Sequence, residues 1–266
     1  MENNKVILFN PKSGRWKHRA PNSILQVGAS IYGKYEIAFV DGNLETDPWE
    51  TIKKYLNTGE YKYFGVTVMP GPQLRQAIPI SRKIHEEFPH IKVIWGGYFA
   101  SNQHPVVLNS GYVDFVVSGP GDTAFPKLLD ALEKGEEVDS IKNLIYLKEG
   151  KIHKTAKEEL LSQDDLPQLP YEFFNQFYPI KEYLQKTFLG ERTMAYHSSL
   201  GCPFTCSFCA VVPIYNARWK GKSAENVYKD IKWLKDNYGV DSVEFHDNNF
   251  FTSRKRVVEF SKLVLN

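Results

Sequence analysis

Met194-Ala195-Tyr196-His197-Ser198-Ser199-Leu200-Gly201-Cys202-Pro203-Phe204-Thr205-Cys206-Ser207-Phe208-Cys209 is the stretch on which the reading of this chain turns. A strand-like run from Met194 to Ser199 opens into a loop that carries all three cysteines of the 266-residue chain. A disulfide framework would have spread its cysteines in pairs, and chance burial of unliganded thiols does not gather three within eight residues. Intervals of three and two residues let one loop wrap a compact metal centre. Soft thiolates select iron-sulfur clusters or zinc, and a closed site of either kind wants four protein ligands. With three cysteines, a four-iron, four-sulfur cubane keeps one iron free for a small molecule. The zinc alternative requires His197 or His246 to complete a Cys3His site, although zinc motifs usually show two cysteine pairs separated by a longer interval.

Downstream, strands and helices alternate. The pattern predicts a helix over Ser223 to Asn237, with Ser223 as N-cap and Tyr238-Gly239 as exit, a strand over Ser242 to Phe245, and a second helix from Ser253. Only 75 residues follow position 191, enough for about two βα units where a complete barrel needs many more. The expectation is a fragment of a longer polypeptide, or a barrel completed by another chain, with exposed apolar surface, poor solubility or reduced turnover in isolation.

Upstream, residues 162–180 hold Pro167, Pro170, Tyr171, Phe173, Phe174, Phe177 and Tyr178, which predict a linker packed against a domain. Before it, Leu144 to Leu147 and Lys151 to Thr155 read as a hairpin turned at Glu149-Gly150. The first ~130 residues alternate apolar runs with amphipathic stretches, as a parallel sheet covered on both faces requires. Predicted strands are Lys5 to Phe9, Tyr35 to Val40, Tyr63 to Val68, Lys92 to Trp95 and Val113 to Val117. Helices are predicted near 22–33, 48–57, 73–88, 101–110 and 122–134. Every strand ends in a loop cluster: Asn10-Pro11, Asp41-Gly42-Asn43, Pro70-Gly71-Pro72, Gly96-Gly97 and Gly119-Pro120-Gly121-Asp122. All five fall on one sheet edge, where doubly wound folds bind ligands. Glycines there admit a ligand to the backbone, or merely end the strands, since no GxGxxG fingerprint is present. The expected organisation is 1–135 as a Rossmann-like α/β domain, 136–191 as hairpin and linker, and 192–266 as the start of a βα barrel.

Thirty-three Lys and Arg against 31 Asp and Glu leave a formal charge of +2, which gives no field to attract nucleic acid or anionic lipid. No apolar run approaches the ~20 residues of a membrane span. Met1 to Lys5 pass into Val6-Ile7-Leu8-Phe9 without a cleavable leader, so a cytoplasmic location is expected.

The CxxxCxxC spacing with Phe208 just before the last cysteine, after the first strand of a βα barrel, resembles the signature of the radical S-adenosylmethionine (SAM) enzymes. The resemblance implies that Cys202, Cys206 and Cys209 ligate three irons of a 4Fe-4S cluster while the fourth chelates SAM, and that Phe208 lies near the adenine. In that family, an electron from the cluster cleaves SAM to methionine and a 5′-deoxyadenosyl radical. Arg218 to Val227 is similar to the segment leading into the first barrel helix of these enzymes. Phe245-His246-Asp247-Asn248-Asn249-Phe250 resembles the end of their second strand, which places His246, Asp247 and Asn248 in the SAM region; Asn248 stands where a second aspartate is often found. Asp247 and the asparagines alternatively cap the following turn.

A Rossmann-like domain, an aromatic linker and then such a barrel is an order that resembles the cobalamin-binding radical SAM enzymes. Gly65 to Gln73, Trp95 to Pro105, Asp114 to Phe125 and the Leu166 to Phe174 linker look like that subclass, whose members include methylases and the anaerobic cyclase acting on a magnesium porphyrin ester. The resemblance implies a cobalamin whose nucleotide tail meets Pro70, Gly71, Gly96, Gly97, Gly119 and Gly121, bound without a lower histidine ligand, since no DxHxxG motif is present. It further implies a small-molecule substrate and a reductant protein such as a flavodoxin or ferredoxin. Methyl transfer, radical oxidative cyclisation and a non-catalytic corrinoid- or cluster-binding module remain the three alternatives.

Overall fold

The computed structural model describes residues 4–14 and 19–265. The Met1 to Asn3 start, read above for its lack of a leader, lies outside them. The chain divides into two compact units, one formed by residues 4–14, 23–158 and 167–177 and the other by 19–22, 159–166 and 178–265.

The first unit is built on five parallel strands, β1 (Lys5–Asn10), β2 (Glu36–Asp41), β3 (Tyr61–Thr67), β4 (Lys92–Gly96) and β5 (Phe115–Val117). Five successive positions of β1 and of β2 are buried, so side chains on both faces of the sheet are covered and the sequence reads as a continuous apolar run. The connecting helices are α1 (Asn22–Ile31), α2 (Pro48–Leu56), α3 (Leu74–Glu87), α4 (Gly97–Asn102), α5 (His104–Leu108) and α6 (Ala124–Lys134). Phe9, Phe64, Trp95, Ile52 and Ile84 are among the fully buried side chains on one side of the sheet, and Trp95 Nε1 donates to the buried Ser81 Oγ at 2.9 Å.

Three local departures from the periodic reading have physical causes. β5 starts at Phe115 because Asp114 pairs by its side chain: its carboxylate accepts from Val93 N at 2.8 Å while its own N–H donates to Val93 O at 2.9 Å. The helix expected over 101–110 begins instead at Gly97 and breaks at Gln103. Pro105, at the start of α5, brings no N–H and cannot continue the α4 ladder. The hairpin forms where expected, from β6 (Leu144–Lys148) and β7 (Lys151–Lys154), with Glu149 and Gly150 both at positive φ as a tight two-residue turn demands. It pairs antiparallel onto β5 and gives the sheet order β2-β1-β3-β4-β5-β6-β7. The first unit therefore runs past position 135 to Glu158. It also takes in the aromatic segment, where Phe173, Phe174 and Phe177 pack around Phe39 and α7 spans Tyr171–Phe174.

The second unit has β8 (Thr193–Tyr196) parallel to β11 (Ser242–Phe245), and a short antiparallel pair, β9 (Ser199–Gly201) with β10 (Trp219–Gly221). The strand expected over Met194 to Ser199 breaks after Tyr196 because Ser198 N–H donates to Asp247 Oδ1 at 2.6 Å instead of joining the ladder. After the short α8 (Val212–Tyr215), α9 (Ala224–Tyr238) follows the first strand and α10 (Arg254–Leu265) the second. Ser223 caps α9 as expected, its Oγ accepting from Asn226 N at 3.3 Å, and Gly239 ends it in the left-handed conformation. Asp164, from the Pro-rich segment, adds a second cap that no local signal announced: it accepts from Ser223 N at 2.9 Å and from Asn226 Nδ2 at 2.8 Å. Partial burial works to raise the Asp164 pKa, yet these hydrogen bonds hold it below the usual carboxylate range.

Candidate functional site

The strand order runs outward in both directions from β1 and β3, so the topological switch point lies between the carboxyl ends of these two strands. Their loops are fastened to one another by buried amides. Gln73 Nε2 donates to Asn10 Oδ1 at 3.2 Å and to Pro11 O at 3.0 Å, and Gln73 Oε1 accepts from Met69 N at 2.7 Å. Asn10 Nδ2 in turn donates to Asp41 Oδ1 at 2.9 Å, and Asp41 also accepts from the backbone and side chain of Asn43. This network was invisible as a motif, because its members are dispersed over three loops.

The glycines singled out from sequence all lie along this edge. Pro70 and Gly71 are exposed, while Gly96, Gly97, Gly119 and Gly121 are partly so. Gly97 has φ +88°, and a Cβ there would meet Val68 N and O at 2.8 Å, so no other residue fits without moving the backbone. Ser101 joins the last two loops, its Oγ donating to Gly97 O at 2.8 Å and accepting from Gly119 N at 3.0 Å. Beside Gly121, Asp122 Oδ1 and Gln26 Nε2 are buried without a well-formed hydrogen bond. Burial pushes the Asp122 carboxyl up, only partly opposed by its own backbone N–H and the Gln26 amide. Open backbone and orphaned polar atoms along one edge fit a ligand rich in amide groups, as a corrinoid is.

In the second unit the cysteine loop leaves β9 at Gly201, whose φ is +79° and whose added Cβ would lie 2.1 Å from Arg218 O. Gly201 is thereby the residue that lets the β9–β10 pair close immediately before Cys202. Cys209 N donates to Cys206 O at 3.0 Å, so these two cysteines bracket one turn. None of the three cysteines is in a disulfide; Cys206 is exposed, and Cys202 and Cys209 are partly buried. Phe208 is 91% exposed. Among the described residues, no three His, Cys, Asp or Glu side chains are drawn together into a metal-holding group, with or without His197 or His246. The fit to a cluster rests on donor chemistry: three soft ligands, none in a disulfide, on one accessible loop.

The segment at the end of β11 divides its work. Asp247 has a side chain with 0% exposure and is given wholly to the protein. It accepts from Ser198 N, Ser198 Oγ and Ser199 Oγ, and Arg256 Nη2 stands 3.6 Å from its carboxylate. Arg256 also donates to Ser198 Oγ at 2.8 and 3.0 Å and lies over the rings of Trp219 and Phe250. Asp247 is thus a clasp between the two strand ends, and it caps no following turn. That cap belongs to Asn249, whose Oδ1 accepts from Phe251 N at 3.2 Å. Asn248 is exposed. His246 continues the strand ladder through its N–H to Tyr196 O, and its Nδ1 lies 3.1 Å from Arg19 Nη1. His246 Nε2 stands 3.1 Å from Glu244 Oε2 without the alignment of a hydrogen bond. Crowding by the surrounding chain, then the neighbouring His246 and, more weakly, Arg19, hold His197 below the usual histidine range against an opposing pull from Asp247, which favours the neutral imidazole at neutral pH.

No family model matches the chain. It is 26% identical over 245 residues to an uncharacterized methyltransferase of Pyrococcus horikoshii, covering 91% of this chain and 51% of the relative. It is 21% identical over 292 residues to the cytidylyl-2-hydroxyethylphosphonate methyltransferase of Streptomyces wedmorensis, covering 92% and 55%. It is 22% identical over 183 residues to the anaerobic magnesium-protoporphyrin IX monomethyl ester cyclase of Synechocystis, covering 68% and 35%. The chain thus spans about half or less of the length of these relatives. In fold it is similar to the cobalamin-dependent radical SAM enzyme OxsB with aqua-cobalamin bound, at a TM-score of 0.82 and 18% identity over 100% of this chain and 37% of that one. It is likewise similar to the radical SAM methyltransferase TsrM of Kitasatospora setae with cobalamin and a [4Fe-4S] cluster bound, at 0.72 and 18% over 100% and 50%. The fold is like that of these enzymes: a mostly parallel seven-stranded sheet in the first unit and two successive βα units in the second. Among the described residues no helix is long and apolar enough to cross a membrane.

Proposed function

We propose a radical SAM function with methyl transfer to an unreactive centre of a small-molecule substrate, from the chain's similarity in sequence to methyltransferases and in fold to cobalamin-dependent radical SAM enzymes. Cys202, Cys206 and Cys209 hold the 4Fe-4S cluster, the loop carrying Phe208 and the end of β11 receive SAM, and the edge lined by Pro70, Gly71, Gly96, Gly97, Gly119 and Gly121 receives a corrinoid. Once bound, the cluster supplies the electron that cleaves SAM and the corrinoid carries the methyl group. The observation that carries this reading is the set of three thiols, none in a disulfide, on the loop leaving β9.

The protein's own residues prepare these places. Gly201 and the β9–β10 ladder fix where the cysteine loop departs. The Asp247–Arg256 clasp holds the ends of β8 and β11 in register, so that the loop and the His246-to-Phe250 segment keep a constant separation. Phe208 presents a free aromatic face, suited to stacking on a purine ring. Gln73 and Ser101 fasten the loops of the first sheet to one another, with glycine backbone left open to a ligand. A reductant protein of the flavodoxin or ferredoxin kind would reduce the cluster before each cleavage.

The similarity to the Synechocystis cyclase favours a second reading, radical oxidative cyclisation without methyl transfer. Incubation with SAM carrying a labelled methyl group, cobalamin and a strong reductant separates the two. Appearance of label in an acceptor, or on the corrinoid, supports methyl transfer. A cobalamin spectrum unaltered by the protein, with SAM cleavage intact, contradicts the corrinoid part of the reading.

A further inference from the structure

We infer that Asn249 is a positioning residue for the cysteine centre: its side-chain N–H donates to the sulfur of Cys202 and thereby raises the reduction potential of the cluster held there. The inference rests on the proposed cluster at Cys202, Cys206 and Cys209 and adds a determinant of its redox poise.

Asn249 Nδ2 lies 3.9 Å from Cys202 Sγ, within reach of an N–H···S hydrogen bond, across 47 positions of sequence. Three further contacts hold the donor in place. The carboxamide oxygen is taken up by Phe251 N at 3.2 Å, which orients the side chain and leaves its NH2 group free to face the sulfur. The backbone carbonyl of Asn249 accepts from Trp219 Nε1 at 3.2 Å and from Thr252 Oγ1 at 3.2 Å. Trp219 in turn is paired with Gly201, the residue directly before Cys202. Donor and acceptor are thus tied to the same ladder, β9–β10, so the contact follows from the fold and not from a chance rotamer. Asn249 and Cys202 are both partly buried, which limits competition from water.

The physical consequence has a definite sign. One electron from an external donor adds negative charge to the cluster and its sulfur ligands, and a donor hydrogen bond stabilises that more negative state most. Removing the N–H therefore lowers the potential, and placing a carboxylate there lowers it further. Asn249→Asp retains an oxygen for Phe251 N, because aspartate caps as well as asparagine, but loses the N–H and brings a charge. Asn249→Ser retains a capping oxygen without charge and is too short to reach the sulfur.

The test is anaerobic reconstitution of the full chain and both variants with iron and sulfide, iron and sulfide analysis, and a redox titration followed by electron paramagnetic resonance. The expected result is equal cluster content, a midpoint for Asn249→Asp more negative by about a tenfold change in the reduced-to-oxidised equilibrium, ~59 mV for one electron, and a smaller shift of the same sign for Asn249→Ser. A purely structural cap would leave the potential of the uncharged Asn249→Ser variant at the wild-type value, with only the added charge of Asn249→Asp moving it, and that outcome overturns the inference alone. A wild-type chain that takes up no cluster overturns the proposed function and this inference with it.

Discussion

The carboxyl edges of the two units solve the same problem with different chemistry. In the first, the loops after β1, β2 and β3 are held by an amide network through Asn10, Asn43 and Gln73 around the buried Asp41. In the second, the ends of β8 and β11 are held by a buried ion pair, Asp247 with Arg256, shared through Ser198. Amides satisfy several loops at modest net energy each. A buried charge pair contributes little as a pair, yet removing one member leaves the other stranded. The second edge is thus the more brittle, and it is the one that carries the cysteine loop.

That contrast ranks the expected effects of substitution. Arg256→Leu leaves the Asp247 carboxylate buried without its cation and is expected to cost about 3–5 kcal/mol. The measurement is the urea midpoint, and the double variant with Asp247→Asn should recover part of the loss. Next, Gly201→Ala drives a Cβ into Arg218 O, and a strained left-handed position alone costs about 1–3 kcal/mol. It should also weaken iron retention, because the loop to Cys202 starts there. Gln73→Leu leaves the Asn10, Pro11 and Met69 partners unpaired, for about 1–3 kcal/mol, without altering iron uptake. An equal loss of iron from Gln73→Leu and Gly201→Ala would erase the distinction between the two edges.

The smallest effect has the opposite sign. Burial raises the Asp122 carboxyl, so the folded chain binds a proton that the unfolded chain has released, and stability falls as pH rises from the unfolded pKa of 3.8 through the higher folded value. Asp122→Asn removes that penalty. It should raise Tm at neutral pH by about 2–4 °C for each kcal/mol relieved, with the difference vanishing below the unfolded pKa.

Features that depend on neighbours in sequence were legible in it. The five parallel strands follow from runs such as Val6-Ile7-Leu8-Phe9, the Glu149-Gly150 turn and the Ser223 cap from local signals, and the cysteine trio from its clustering. Features that depend on distant partners were not. Asp247 reads as a ligand or a turn cap until Ser198 and Arg256 are seen around it, 49 and 9 positions away. The hairpin reads as the start of a linker until its pairing on β5 is seen. Asp114 reads as a strand residue because nothing local reveals that its carboxylate takes the place of a ladder bond.

The most direct test is metal analysis of anaerobically reconstituted chain, wild type against Cys202→Ala, with spectra recorded before and after SAM is added. The expected result is about four irons and four sulfides per wild-type chain, a spectrum perturbed by SAM, and loss of both properties in the variant. A firmly bound zinc with four protein donors, or iron uptake indifferent to Cys202, would contradict the account.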